Sequence, residues 1–177
     1  MGDGETDDSI AIQSILDKYS GCKIIYFDAG TYYVNKTIKV PVGSIIVGEI
    51  WSTIIGGGSA FSDQSNPTPV IQVGSPGDKG IVEISDMVFS TRAGSAGAVV
   101  VQWNVADAAG QQGTAGMWDV HVRLGGFKGT ELDVSTCLAG SSHSTAGCTA
   151  AFLGVHITSR ASAYLENAWI WTADHDL

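Results

Sequence analysis

Three segments of the sequence share one pattern, and this pattern separates the possible folds. They read Ile84-Ser-Asp86-Met-Val-Phe89, Met117-Trp-Asp119-Val-His-Val122 and Leu165-Glu-Asn167-Ala-Trp-Ile170. Each has an apolar residue, then Asp or Asn two positions on, then an apolar residue three positions further. In a parallel β-helix such a position recurs at one corner of successive rungs, because Asp and Asn tolerate the left-handed backbone conformation. The segments lie 33 and 48 residues apart, so loops of different length must separate the rungs.

From Lys23 onward, the chain consists of short β-rich runs separated by Gly, Asp, Asn, Ser or Pro. The runs include Lys23-Ile-Ile-Tyr-Phe27, Thr31-Tyr-Tyr-Val34, Thr37-Ile-Lys-Val40, Ser44-Ile-Ile-Val47, Val70-Ile-Gln-Val73, Val82-Glu-Ile84, Ala98-Val-Val-Val-Gln-Trp103 and Met117-Trp-Asp-Val-His-Val122. A sandwich of hairpins is the alternative, but the Asn-Gly and Asp-Gly turns that hairpins favour are scarce. The sequence therefore predicts an all-β fold, a right-handed parallel β-helix.

One segment near the N-terminus has helical periodicity. Thr6, Asp7 and Asp8 offer N-terminal caps. The apolar residues that follow at helical spacing are Ile12, Ile15, Leu16 and Tyr19. We expect this helix to end near Gly21 and to cover the open end of the β-helix, which would otherwise expose apolar side chains and strand edges.

The expected organisation is a single partial β-helix domain over residues 1–177, with a capping turn and helix in 1–21 and rungs in 22–177. The C-terminal end is expected to be incomplete, because residues 164–177 form an apolar strand with two tryptophans and no polar terminator. A last rung left open would expose several large side chains at about 1.5–3 kcal/mol each.

The charge balance restricts the partners. Nine basic and eighteen acidic residues give a net charge of -9, which repels nucleic acid and anionic lipid. No apolar run approaches the roughly 20 residues that cross a bilayer, and no export signal is present, so we expect no membrane span. Neutral polysaccharides, small molecules and proteins remain as partners.

The cysteines and one sequon indicate an extracellular protein. Cys137 and Cys148 flank a loop rich in Ser, Gly and Thr, which suggests a disulfide worth about 3 kcal/mol. Cys22 precedes an apolar run and is expected to be a buried free thiol. Asn35-Lys36-Thr37 is an N-glycosylation sequon, which has meaning only in a secreted chain.

The most concentrated polar and aromatic groups lie at the C-terminal end. They are Trp169, Trp171, Asp174, His175 and Asp176. An indole beside a carboxylate suits the flat face and hydroxyl groups of a sugar. Period-two alternation puts both tryptophans on one face, and the residues alone favour a core position for them. A metal site at 174–176 is disfavoured, because three ligands so close along a chain rarely converge on one ion.

Glycoside hydrolysis usually needs two carboxyl groups at a defined separation. The glutamates are Glu5, Glu49, Glu83, Glu131 and Glu166. Glu83 and Glu166 lie in apolar strands, where an outward, solvated position is expected. No convincing catalytic pair follows from these positions, and motifs for zinc proteases, phosphate loops and serine nucleophile elbows are absent from the sequence.

Two parts of the sequence resemble known families. Residues 2–8, Gly-Asp-Gly-Glu-Thr-Asp-Asp, with a helix and then Tyr26-Phe-Asp-Ala-Gly-Thr-Tyr32, look like the start of pectate-lyase-like β-helix proteins. Further motifs are similar to fungal exo-β-1,3-glucanases of glycoside hydrolase family 55. These are Trp51-Ser-Thr-Ile-Ile-Gly-Gly-Gly-Ser59, Asn66-Pro-Thr-Pro69, Val82-Glu-Ile-Ser-Asp-Met87, Gly116-Met-Trp-Asp-Val120, Ala163-Tyr-Leu-Glu-Asn167 and Trp171-Thr-Ala-Asp-His-Asp-Leu177.

This resemblance implies a secreted, cofactor-free and metal-independent enzyme that releases sugars from β-1,3-glucan ends with inversion. The chain is similar to the start of the second of two tandem β-helices. Trp171 and Asp174 match positions that contact the terminal glucose, which favours a functional role for them over a core role. The family's general acid lies further along, so the chain is expected to bind β-1,3-glucan, to need other segments of the same enzyme, and to be inactive alone.

Two other functions remain open. The chain could be a non-catalytic glucan-binding or wall-associated structural β-helix that keeps the scaffold without the acid. A uronate lyase of the same fold ranks lower, because it would need a calcium carboxylate cluster and a basic residue for the acidic sugar. Only nine Lys and Arg are present, and they do not cluster.

Overall fold

The computed structural model describes residues 1–133, 136–137 and 146–172, and the described chain is a parallel β-helix behind one helix. Helix α1 spans Ser9–Tyr19. The strands are β1 Asp3–Asp7, β2 Ile24–Phe27, β3 Thr31–Val34, β4 Ile38–Val40, β5 Ile45–Gly56, β6 Thr68–Val73, β7 Val82–Thr91, β8 Ala98–Trp103, β9 Ala115–Trp118, β10 His121–Leu124, β11 Leu153–Ile157, β12 Tyr164–Glu166 and β13 Trp169–Thr172. Short 3₁₀ turns occur at Ser59–Phe61 and Ala146–Cys148.

The strands pair in parallel and form three faces. The first face contains β2, the start of β5, the start of β7, β9 and β12. The second face contains β1, β3, the ends of β5 and β7, β10 and β13. The third face contains β4, β6, β8 and β11. Each turn of the chain adds one strand to each face, as the predicted solenoid requires.

The repeated Asp or Asn marks the corner between the first and second faces. Asp86, Asp119 and Asn167 have φ angles of 57°, 51° and 50°, the left-handed conformation expected of them. The register pairs Glu83 with Gly116 and Gly116 with Tyr164, which reproduces the predicted intervals between rungs. The repeat is confirmed, and the segment predicted as one run from Met117 to Val122 bends at its centre.

Inward-facing side chains stack from rung to rung to form the core. Ile46, Ile84 and Met117 occupy one column, and all three are buried. A second column contains Ile54, Phe89 and Val122, which are also buried. In-register stacking brings apolar surfaces into contact along the axis, at about 25 cal/mol per Å² removed from water.

Helix α1 covers the first rung, as predicted. Ile12 and Leu16 are buried in the core, whereas Ile15 is exposed. The Gln13 side chain donates to the Lys39 carbonyl oxygen at 2.9 Å and accepts from the Lys39 amide at 2.8 Å. Lys39 lies on β4, the edge strand of the third face, so the glutamine satisfies an edge that would otherwise be open.

The N-terminal segment forms a strand that was not predicted, and of the three predicted caps Asp7 holds the start of the helix. Asp3–Asp7, expected in a capping turn, form β1 and pair with β3. The helix start is held by the Asp7 carboxylate, which accepts bonds from the Ser9 amide at 3.0 Å and the Ser9 hydroxyl at 2.5 Å. Asp8, although it precedes the helix, makes no side-chain cap bond to it.

The prediction of a buried Cys22 is wrong, because Cys22 is exposed. It lies in the turn between α1 and β2, and its amide donates to the Tyr19 carbonyl oxygen at 3.1 Å. The apolar run begins to face inward only at Ile25 and Phe27, which are buried.

The last described rung is open. Leu165 and Ile170 continue the two core columns but are 38% and 53% exposed, because nothing within the described chain packs on their outer side. Among the residues that the structure describes, no helix has the length and apolar character needed to cross a lipid bilayer.

Candidate functional site

A groove of about 390 Å³ lies on the outer side of the second face. Its lining residues are Ile50, Trp51, Thr53, Val88, His121, Arg123, Phe127 and Trp171. We call it the aromatic groove. Its volume falls within the range of about 300–1,000 Å³ that is usual for small-molecule sites. Trp171, selected from the sequence, lies in its wall.

Trp171 is held by an arginine from the preceding rung. Arg123 of β10 is its register partner, and the guanidinium carbon lies 5.0 Å from the centroid of the Trp171 ring. The same carbon lies 5.0 Å from the Phe127 ring, and Arg123 Nη2 donates to the Gly126 carbonyl oxygen at 2.7 Å. Cation–π packing on both aromatic groups fixes the indole against the groove.

The interpretation of Trp169 and Trp171 as core residues is wrong. Trp169 is 61% exposed and Trp171 is 38% exposed, and both point outward from β13. Asp174, the second predicted sugar contact, lies outside the described residues, as do His175 and Asp176.

Three aromatic rings form a column beside the groove. The His121 ring is stacked on Trp169, with centroids 5.7 Å apart and an interplanar angle of 10°. Trp51 contacts the other side of His121, with centroids 5.1 Å apart and an angle of 33°. Because the inner ring faces are occupied by these contacts, the column offers ligands its edges and its outermost faces.

Trp51 is carried by an irregularity in β5. The register jumps between Val47 and Ser52, where β7 has only the Ser85–Met87 step. We call residues 48–51 the β5 bulge. Ile50 and Trp51 have φ angles of 46° and 62° and are 84% and 52% exposed. A β-branched residue in the left-handed region is a genuine outlier, so the bulge must be held by its surroundings.

Two small residues hold the β5 bulge. Ser52 is buried, and its hydroxyl lies 2.9 Å and 2.8 Å from the carbonyl oxygens of Phe27 and Asp28 and accepts from the Glu49 amide at 3.1 Å. Gly48 lies so close to the next rung that a Cβ there would be 2.3 Å from the Asp86 carbonyl oxygen. A glycine is therefore needed for this close approach.

A second groove, of about 550 Å³, lies on the other side of the β5 bulge. Its lining residues are Tyr26, Gly48, Glu49, Ile50, Trp51, Asp86 and Asp119. We call it the acidic groove. Glu49 Oε2 accepts from the Ala29 amide at 3.1 Å. Desolvation and the charges of Glu49 and Asp28 raise the pKa of Tyr26.

Glu83 and Glu166, the two glutamates within predicted strands, do not line either groove. Glu83 and Glu166 are exposed and point outward, as expected. Glu166 accepts a 2.7 Å bond from the Tyr164 hydroxyl, and this bond and its charge raise the pKa of Tyr164. In the described ranges, no group of three His, Cys, Asp or Glu side chains could hold a metal ion.

The remaining predicted positions lie away from both grooves. Cys137 and Cys148 are joined in a disulfide with their Cα atoms 5.7 Å apart. Asn35 is half-buried, and its backbone amide donates to the Ser9 hydroxyl at 3.0 Å. The Thr37 hydroxyl of the same sequon donates to the Pro69 carbonyl oxygen at 2.6 Å.

Trp51, His121 and Arg123 line the aromatic groove but were not predicted from the sequence. For His121 a signal was present, because it lies two residues after a corner and immediately before the inward Val122. Trp169 has the same place relative to Asn167, so the repeat itself could have put both rings in one outward column.

Comparison with known proteins agrees with this architecture. The family model described as "Rhamnogalacturonase A/epimerase, pectate lyase-like" matches residues 1–114. A "Probable glucan endo-1,3-beta-glucosidase" of Arthroderma benhamiae is 50% identical over 99% of the chain. A "Glucan 1,3-beta-glucosidase" of Cochliobolus carbonum is 48% identical, and a "Non-secreted LysM effector LysM15" of Penicillium expansum is 47% identical, each over 99% of the chain. The chain spans 20%, 22% and 12% of the lengths of these three relatives. The resemblance to β-1,3-glucan hydrolases is thereby confirmed.

Proposed function

The chain belongs to the pectate lyase-like family described as rhamnogalacturonase A/epimerase, and from this premise we propose that it provides a glucan-binding surface of a β-1,3-glucan hydrolase. The observation that carries the proposal is Trp171, an outward indole in the wall of a groove, held from one side by Arg123. The ring face away from Arg123 is the platform for a terminal glucose unit. Asp174, three residues further on, would accept hydrogen bonds from the sugar hydroxyls.

The substrate class follows from the relatives and from charge. One relative is named a probable glucan endo-1,3-β-glucosidase and another a glucan 1,3-β-glucosidase, and a glucan is a neutral polysaccharide. The chain has a net charge of -9, and the acidic groove adjoins the aromatic groove through Ile50 and Trp51. Carboxylates accept hydrogen bonds from sugar hydroxyls but repel uronic acids, which favours a neutral glucan.

Hydrolysis itself requires groups beyond those of the aromatic groove. An inverting mechanism uses a general acid and a general base about 6.5–9.5 Å apart. Among the described residues that line the aromatic groove, none is a carboxylate. We therefore propose that the chain binds glucan but does not hydrolyse it alone, and that an inverting exo-acting enzyme is formed only with further segments of the same protein.

A secreted location forms part of the proposal. The Cys137–Cys148 disulfide would be stable in an oxidising compartment, and the Asn35 sequon would be used there. Mass spectrometry of the protein from its source tests both modifications. A reduced Cys137 together with an unmodified Asn35 would contradict secretion.

A non-catalytic glucan-binding protein is the second candidate. It is favoured by the absence of a carboxylate from the described lining of the aromatic groove and by the relative named as an effector rather than as a hydrolase. The two candidates differ in turnover. Glucose release from laminarin by the longest natural protein that contains this chain supports the hydrolase, and binding without release supports the second candidate.

The test uses laminarin, a β-1,3-glucan, and calorimetry on the purified chain. We expect binding without glucose release, and about a tenfold loss of affinity for Trp171→Ala, because a stacking contact with the sugar is removed. Phe152→Ala is the matched control, since Phe152 is a 49% exposed aromatic residue that directly precedes β11 of the third face. Failure of the chain to bind laminarin would overturn the proposal.

A further inference from the structure

We propose that Trp51 is a second sugar platform of the aromatic groove, which binds glucan chains but not single glucose units. This inference rests on the proposed function, because it takes Trp171 as the first platform. The ligand it implies is a neutral β-1,3-linked oligosaccharide long enough to contact both indoles.

The two indoles lie far enough apart along the second face that one sugar cannot contact both. Trp51 from β5 and Trp171 from β13 line one groove, although two strands, β7 and β10, lie between them in the second face. Val88, His121 and Arg123 form the floor between them on the intervening strands. A ligand that contacts both indoles must therefore extend along the axis of the β-helix, and a single sugar ring reaches only one of them.

Trp51 is not part of the buried core. The side chain remains 52% exposed, and its one aromatic ring contact within the described chain is the tilted contact with His121. Its backbone adopts the left-handed conformation next to Ile50, which has the same strain. Large apolar side chains that stay in water on a strained segment gain little stability, whereas an exposed indole is well suited to a sugar face.

The Trp51 ring is held in place without a ligand. His121 lies between Trp51 and Trp169, and Ser52 and Gly48 fix the bulge from beneath. A platform that is already oriented binds with a smaller loss of side-chain entropy. His121 acts through Trp51 and is therefore a positioning residue.

The experiment measures affinity against chain length by calorimetry on the purified chain. The ligands are glucose and laminari-oligosaccharides of two to five units. We expect Trp51→Ala to leave glucose affinity unchanged and to weaken binding of the longest oligosaccharide about tenfold. Trp171→Ala should weaken the binding of every ligand, because all of them use the first platform.

Three further variants test the positioning role and guard against unfolding. Trp51→Phe keeps an aromatic face and should retain most of the oligosaccharide affinity. His121→Ala should reproduce the loss seen for Trp51→Ala, and His121→Phe should restore binding because it restores the stack. Phe152→Ala should change nothing, and thermal melting of each variant confirms that it is folded.

The outcomes separate the two proposals. If the wild-type chain binds no laminari-oligosaccharide, the proposed function fails. If the wild type binds and Trp171→Ala weakens binding but Trp51→Ala does not, only the present inference is overturned. Equal losses for glucose and for long chains in Trp51→Ala would also overturn it.

Discussion

The β-helix turns the same corner in two ways. In three rungs a single residue, Asp86, Asp119 or Asn167, makes the bend in the left-handed conformation. In β5 the bend takes the four residues of the β5 bulge, which include the exposed Ile50 and Trp51. Asp and Asn suit this conformation, whereas isoleucine and tryptophan do not.

The two kinds of corner differ in whether the local backbone conformation suits the residues that adopt it. The single-residue corners agree with local preference and need little outside support. The β5 bulge contradicts local preference and depends on Ser52, on Gly48 and on the His121 ring. Departures from local rules that a structure supports at several points are typical of binding sites. The β5 bulge, whose residues suit the left-handed conformation least, is also the corner that lines the aromatic groove.

The largest effect is expected from Gly48→Ala, which breaks the support of the β5 bulge. The added Cβ would be 2.3 Å from the Asp86 carbonyl oxygen and 2.7 Å from Met87 Sδ, so backbone must move. We expect a loss of about 2–3 kcal/mol in the free energy of unfolding, together with weaker oligosaccharide binding as Trp51 is displaced. Urea unfolding and calorimetry measure the two effects.

Gly154→Ala is the matched control for Gly48→Ala. Its added Cβ would lie 3.0 Å from Ile170 Cγ2 and at an ordinary contact distance of 3.7 Å from Val122 Cγ1, and the Ile170 side chain lies on the open last rung where it can move. We expect less than about 1 kcal/mol. Equal losses for the two variants would show that the close approach at Gly48 is not special.

Substitutions at the two kinds of corner should have opposite effects on the free energy of unfolding. Asp119→Ala removes the polar side chain that lets aspartate tolerate the left-handed conformation, and we expect a loss of about 1 kcal/mol in the free energy of unfolding. Ile50→Asn replaces a strained β-branched residue by one that tolerates this conformation, and we expect a gain of about 1 kcal/mol. Denaturant unfolding of both variants gives the signs, and a loss for Ile50→Asn would contradict the proposed strain.

The sequence predicts the regular corners because their signal is local. An Asp or Asn flanked by apolar residues at fixed offsets is visible without any knowledge of the neighbouring rung, and so is the helix that contains Ile12 and Leu16. The β-rich runs likewise correspond to β2, β3, β4, β6 and β8.

The aromatic groove is not visible in the same way. The β5 bulge exists only relative to β7, because its extra residues are counted against the strand that pairs with it. The contact between Trp51 and His121 joins residues 70 positions apart, and no periodicity of either segment encodes it. The exposure of Cys22 was missed for a similar reason, because the inward phase of β2 is set by stacking on β5.

The smallest effect concerns a carboxylate that supports a bend by hydrogen bonds instead of by conformation. Asp107 follows β8, and its carboxylate accepts from the amides of Thr114 and Ala115 at 3.1 Å and from the Ser162 hydroxyl at 2.9 Å. Burial alone would raise the pKa of Asp107, but the hydrogen bonds from Ser162 and the backbone outweigh burial and lower it below 3.8.

A lowered pKa in the folded state means that Asp107 stabilises the fold above about pH 4 and that this contribution is lost as the pH falls through the folded value. We expect Asp107→Asn to be less stable than the wild type at pH 7, with the difference shrinking toward pH 2. Urea unfolding across this range measures it. Ser162→Ala should reduce the same acid sensitivity because it removes one of the hydrogen-bond donors to Asp107. A difference in stability between the wild type and Asp107→Asn that does not depend on pH would show that the bend depends on the shape of the side chain and not on its charge.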